Sequence, residues 1–315
     1  MVDQEQRNKR LAYTLIGLVV ITVAIAGLQW KKNPAVVDKA IFRVVDQTSV
    51  DRVELRSARD TVILHYDGVR WKVNSRYDAE SRLVTVLFAT LAQAEPRRKA
   101  PESLVDSLRS QLVQKGVLVD LYAGERKINS FYAGGDERKS TAWFMDDGGT
   151  PYLMTIPGYR VYVAGIFELD ENGWKEKRIF NFNWRNFKTL TARTADGGQD
   201  IVVQPGDEGF VVAGITVADT TRLNDYLDAV SLLQADEFIA SGYAARYDSL
   251  LRTTPVLTID VTDLGNKTYR LRLYAPLPGE RLVLGQTGDQ EIALFDRQAL
   301  NPILKGREFF RAAPQ

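Results

Sequence analysis

Hydrophobic and polar positions follow three patterns along the chain. The first is an unbroken apolar run, Leu11–Trp30 (LAYTLIGLVVITVAIAGLQW), where Gln29 is the only strongly polar side chain. About twenty helical residues, at ~1.5 Å each, span the roughly 30 Å of bilayer hydrocarbon. The run predicts a transmembrane anchor carrying Leu11, Leu15, Val19, Val23 and Leu28, with Trp30 at an interface. The second pattern is short alternating or β-branched stretches between turn residues, which read as strands. The third is apolar residues at helical spacing.

The strand pattern begins at Val53-Glu54-Leu55 and continues through Thr61–Tyr66, a turn at Asp67-Gly68, and Trp71-Lys72-Val73. Leu83, Val84, Leu87, Phe88 and Leu91 then predict an amphipathic helix. A second helix is predicted after Pro101, with Leu104, Val105, Leu108 and Leu112 on one face. Val117–Tyr122, Lys127–Tyr132, Thr141–Met145 and Tyr152–Ile156 read as a four-strand meander with turns at Gly124 and Gly148-Gly149.

The same order recurs from Ile179-Phe180 onward. Strands Leu190–Arg193, Asp200–Val203 and Phe210–Val212 precede a helix with Leu223, Tyr226, Leu227, Val230 and Leu233 on one face. A second helix carries Tyr243, Tyr247, Leu250 and Leu251, and strands Val256–Val261, Thr268–Tyr274, Arg281–Leu284 and Glu291–Phe295 follow. Ile41-Phe42 corresponds to Ile179-Phe180, Trp71-Lys72-Val73 to Phe210-Val211-Val212, Leu87 to Leu227, Val117-Leu118 to Val256-Leu257 and Gly148 to Gly288. The match implies an internal duplication. The expected fold class is α+β: a transmembrane helix, then two tandem similar units, each an antiparallel sheet with a helix pair packed on one face. The expected domains are a cytoplasmic tail at 1–10, the anchor at 11–30, a linker at 31–40, and units at 41–178 and 179–315.

Charge orients the anchor. Arg7, Lys9 and Arg10 precede the run and Lys31 and Lys32 follow it, a small bias toward a cytoplasmic N-terminus. The resulting expectation is a single-pass bacterial inner-membrane protein, N-terminus cytoplasmic and C-terminal domain periplasmic. Ala24-Ile25-Ala26 also has the small-x-small form of a signal cleavage site, but the run exceeds the usual h-region of about 7–15 residues. The 41 basic and 40 acidic residues balance, which argues against a nucleic-acid binder.

Candidate chemistry is sparse. The chain has no cysteine and one histidine, His65, within a strand, so the usual His/Cys zinc sites and a cysteine nucleophile are excluded. Neither G-x-S-x-G, a P-loop nor G-x-G-x-x-G occurs. Asp146-Asp147-Gly148-Gly149 lacks the spaced carboxylates of a calcium loop and reads as a hairpin turn. The expectation is no catalytic residue, no metal and no cofactor. The densest aromatic-basic run, Trp174–Lys188 (WKEKRIFNFNWRNFK), reads as a connector whose aromatics fill a seam; stacking on bases or lipid head groups is the other reading.

The strand pair leading to Asp67-Gly68-Val69-Arg70-Trp71-Lys72-Val73, the helix Leu83–Ala94, and Gly158-Tyr159-Arg160-Val161-Tyr162-Val163 resemble the DUF4340 family. That resemblance implies a bacterial envelope protein whose gene neighbours include ABC-type transporter components of the gliding-motility type. It implies no catalytic residues. Three functional readings stand beside it. One is a non-enzymatic anchored protein that binds partner proteins, with ABC transporter subunits among the candidates. Another is a module holding a glycan or lipid between the two units. The third is an enzyme using carboxylates alone, for example on glycans. Tyr159, Tyr162, Trp174, Phe182, Trp184 and Phe187 are the candidate partner or ligand surface.

Overall fold

A computed structural model describes residues 13–23, 37–44, 46–180, 182, 184–207, 209–239 and 245–312. Its first element is helix α1, residues 13–23. Then come β1 (Arg52–Arg56), β2 (Thr61–Tyr66), β3 (Trp71–Val73), β4 (Tyr77–Asp78) and α2 (Ser81–Gln93). β5 (Glu95–Lys99) and α3 (Glu102–Lys115) precede β6 (Val117–Ala123), β7 (Arg126–Gly135), β8 (Ala142–Met145), β9 (Pro151–Thr155) and the short α4 (Glu171–Trp174). The rest is β10 (Phe187–Thr194), β11 (Ile201–Gly206), β12 (Gly209–Val212), α5 (Thr220–Ser231), β13 (Glu237–Phe238) and α6 (Asp248–Leu251). β14 (Leu257–Asp263), β15 (Thr268–Leu273), β16 (Leu282–Thr287), β17 (Ile292–Asp296) and α7 (Arg297–Leu300) complete it.

Strand dominates, in two antiparallel sheets, and this corrects the expected α+β class. No helix among the described residues is long and apolar enough to cross a membrane. The eleven residues of α1 reach about 16 Å, roughly half the hydrocarbon thickness. Leu15, Val19 and Val23 on it are exposed, while Leu11, Leu28 and Trp30 lie outside the described residues. The single-pass anchor is therefore not supported, and neither is the inner-membrane placement built on it.

The chain divides into two compact units: one takes the chain up to Thr61 with Thr85–Glu168, the other Val62–Val84 with Leu169–Gln315. In the first unit β1 pairs with β6, the meander β6–β9 follows, and β5 pairs with β9. Alternation puts Phe131 and Phe144 on one sheet face, their rings stacked 5.0 Å apart. Phe42, Tyr152 and Phe167 close edge-on around them. Helix α3 lies on the opposite face: its Leu112 packs over Gly134, and Gln111 donates to the Gly135 carbonyl at 2.7 Å.

The second unit contains the β2–β3–β4 hairpins and a sheet ordered β12-β11-β10-β14-β15-β16-β17-β13. Leu223, Tyr226, Leu227 and Val230 of α5 join a core with Leu190, Val203, Ile259, Val283 and Phe295. Leu284 and Leu294, one position along their strands, instead join Tyr247, Leu250 and Leu251 on the other face. The helices thus cover opposite faces rather than pairing on one. The predicted second helix shrinks to the four residues of α6; Tyr243 lies outside the described residues.

The pairing order repeats along the chain: β10 pairs with β14, β11 with β12, and β17 with β13, as β1 pairs with β6, β2 with β3, and β9 with β5. Each repeat also closes alike. Glu80 N–H donates to the Trp174 carbonyl at 2.9 Å and Asp219 N–H to the Phe310 carbonyl at 2.8 Å. Ala79 bridges Lys175 as Ala218 bridges Arg311. Trp174 and Phe310 are both fully buried.

Candidate functional site

Among the described residues, a groove of about 630 Å³ opens in the second unit. One wall is the β3–β4 hairpin. Asn74 and Ser75 form its turn with left-handed φ of 50° and 57°. Asn74 anchors that turn: its Oδ1 accepts from Ile63 N–H at 2.8 Å, and its Nδ2 donates to Glu171 at 2.6 Å. Such local side-chain bonds are why asparagine tolerates this conformation. The turn delivers Arg76 and Tyr77, and β4 delivers Asp78, to the groove.

The strap that follows α4 forms a second wall. Its backbone pairs with Asp78–Glu80 on one side and Leu233–Ala235 on the other, through Glu176 N–H to the Asp78 carbonyl and Ile179 N–H to the Leu233 carbonyl, 2.8 and 3.0 Å. Lys175 is 4% exposed and carries the main charge here. Its Nζ lies 2.8 Å from Glu291, 3.1 Å from Glu171 and 3.6 Å from the centre of the Tyr77 ring. Burial opposes its charge, but the bonds to Glu291 and then Glu171 outweigh that and hold the ammonium above the ordinary lysine value. Burial likewise opposes ionisation of Glu171, and Asn74 and Lys175 overcome it, lowering its pKa.

The remaining wall comes from the β14–β15 and β16–β17 turns. Asp263 caps the first by accepting from Lys267 N–H at 2.9 Å, which fixes Lys267, Thr268 and Tyr269. The second supplies Thr287, Gly288, Asp289 and Glu291.

Seven cationic and four anionic side chains line the groove, and their pairing is uneven. Arg70 and Lys72 share Asp78, which they hold below the usual carboxylate range against the opposing cost of burial. Lys175 is held as described, and Arg270 is paired with Asp260 at 2.5 Å. Arg76, Arg178 and Lys267 remain; all three are exposed and none has a carboxylate within ion-pair distance among the described residues. Arg76 lies 4.8 Å over the Tyr77 ring and Lys267 4.7 Å over the Tyr269 ring. An aromatic face holds a cation in place without consuming its hydrogen-bond donors. Glu176 is raised in pKa, by burial first and by the nearby Glu80 charge, with the Arg178 N–H acting against both.

The residues singled out from the sequence scatter. Tyr159 is 65% exposed, and Tyr162 is half-buried with its hydroxyl on Glu168. Trp174 is fully buried and its Nε1 has no hydrogen-bond partner among the described residues. Phe187 is buried in the core, and Phe182 packs against that core 6.4 Å from Tyr269 while lining the groove. The side chain of Trp184 lies outside the described residues. Of the five whose side chains are described, Phe182 alone lines the groove. Sequence reasoning did not bring Arg70–Asp78, Arg178 and Lys267–Glu291 to one site, since pairing of distant turns does so. The available signal was cations beside aromatics at turns, as in Arg76-Tyr77 and Lys267-Thr268-Tyr269. Among the described residues no group of three histidine or acidic side chains could hold a metal ion.

A family model described as "Domain of unknown function (DUF4340)" matches residues 71–249, more than half of the chain. The match begins in β3 and ends in α6, so it takes in the hairpin and strap of the groove but not the Lys267–Glu291 wall. No curated protein matches the chain.

Proposed function

The chain belongs to the DUF4340 family, and from that premise we propose that it is a non-catalytic recognition protein that holds an anionic partner protein in the groove of its second unit. One observation carries the reading: three cations, Arg76, Arg178 and Lys267, line a groove of about 630 Å³ with no carboxylate of their own among the described residues. A cation left unneutralised beside half-buried aromatics is a feature of recognition surfaces. Asp78 and Glu291, by contrast, are committed to cations, which leaves neither free to act as a general base. A transporter subunit of the ABC type is the partner that the family resemblance brings into the proposal.

The test is site-specific photo-crosslinking of the full chain in its own cells. A benzoylphenylalanine at Thr268, in the groove, is compared with one at exposed Tyr159. The expected result is a discrete protein adduct from the Thr268 position that R178Q abolishes. An adduct from Tyr159 with none from Thr268 would overturn the reading.

A further inference from the structure

Resting on that reading, we infer that the groove takes an extended protein segment bearing spaced carboxylates, gripped by Arg76, Arg178 and Lys267. The three cations sit on three separate elements: the β3–β4 turn, the strap, and the β14–β15 turn. Each of the three walls of the cavity of about 630 Å³ contributes one of them. Each is fixed by the fold. Arg76 and Lys267 lie against the faces of Tyr77 and Tyr269, and Arg178 is a bridge residue opposite Gln234. Their guanidinium and ammonium donors have no hydrogen-bond acceptor among the described residues, and the planar forks of the two arginines match carboxylates bidentately.

The groove's own acids sharpen the choice of ligand. Asp289 is exposed on the rim and has no cation partner among the described residues, and Glu176 lies in the lining with its raised pKa. A uniform polyanion such as a sulfated glycan would press charge against both. A peptide with acidic side chains separated by neutral ones can place carboxylates at the cations and uncharged residues at the acids. Phe182 and Tyr269 offer apolar surface for those intervening residues.

The experiment uses the full chain and fluorescence anisotropy. The probe is a short labelled peptide of alternating Glu and Thr, set beside its Gln-Thr counterpart, inorganic phosphate and heparin. The Glu-Thr peptide is expected to bind and the Gln-Thr peptide not, with affinity falling as salt rises. R76Q, R178Q and K267Q are each expected to weaken binding at least about tenfold while leaving the circular dichroism spectrum unchanged and lowering Tm only slightly, because none of the three makes an ion pair among the described residues and the ring contacts of Arg76 and Lys267 are exposed. Equal binding of the two peptides, or wild-type affinity in the variants, overturns the inference. So does binding of heparin or phosphate without the peptide. A crosslinked partner at Thr268 combined with peptide failure overturns the acidic-segment inference alone and leaves the groove reading standing.

Discussion

Replacing Lys175 with methionine keeps its volume and removes its charge, which isolates what the buried ammonium contributes. Its side chain is 5% exposed, against 18% for Glu291 and 34% for Glu171. Breaking a fully buried pair from one side costs about 3–5 kcal/mol, because the abandoned charge keeps its desolvation penalty. Here both carboxylates reach water and recover part of that penalty, which lowers the expected loss to about 2–3 kcal/mol, with the lost Tyr77 contact included. E291Q leaves Lys175 paired with Glu171 and should cost about 1 kcal/mol. The double variant K175M/E291Q should cost less than the two single losses together, by at least about 1 kcal/mol. Urea unfolding of the full chain, followed by far-ultraviolet circular dichroism, measures all three. A K175M protein as stable as wild type, or losses that simply add, would refute the assignment of Lys175 as a buried ionic tie. The raised pKa of Lys175 means its contribution is complete below the unfolded lysine value, about 10.4, and disappears as pH rises through the higher folded value.

Other expectations are accessible with the same assay. E176Q should be more stable than wild type at pH 7, since the folded state raises the pKa of this carboxyl. That advantage should vanish as pH falls below the unfolded glutamate value of about 4.3; a constant difference from pH 4 to 8 would count against it. D120N should cost about 2 kcal/mol, because Asp120 is fully buried between Arg56, Lys127 and Ser130 while its two cations stay half-exposed and rehydrate. The lowered pKa of Asp120, reached against the cost of burial through Lys127, Ser130 and Arg56, makes this stability present above about pH 3.9 and lost as pH falls through the folded value. W174A should cost about 3–5 kcal/mol as a core cavity, whereas W174F, which also removes the unbonded Nε1, should stay within about 2 kcal/mol; equal losses would place Trp174 outside the core.

The strands were legible because alternation is a local signal: β2 reads TVILHY and buries Val62 and Leu64. The order of elements recurs in the sequence, but the pairing of strands does not show there; Asp120 and Asp260 are seen to sit between cations on matching strands only in the structure. Helix placement was not legible. Helical spacing identifies an apolar stripe but not which sheet face it covers, and only the alternation of Val283 with Leu284 shows that α5 and α6 lie on opposite faces. The apolar run at the N-terminus was read by hydropathy alone, and the described part of its helix stops at eleven residues. The Trp174–Lys188 run read as a connector whose aromatics fill a seam, with a stacking surface as the other reading, and Trp174, Phe180 and Phe187 are buried. Composition cannot separate a core aromatic from a docking one; strand phase and the closing strap do.

The way each repeat closes has a consequence for biosynthesis. The backbone bonds from Glu80 to Trp174 and from Asp219 to Phe310 join the start of a long helix to chain emitted far later. On a ribosome the first repeat therefore holds an unpaired Ala79–Glu80 edge, and an empty space for Trp174, until the entire meander and the strap have emerged. A nascent chain stalled after β9 should be protease-sensitive at that edge, and one stalled once Glu176 has cleared the exit tunnel should be resistant.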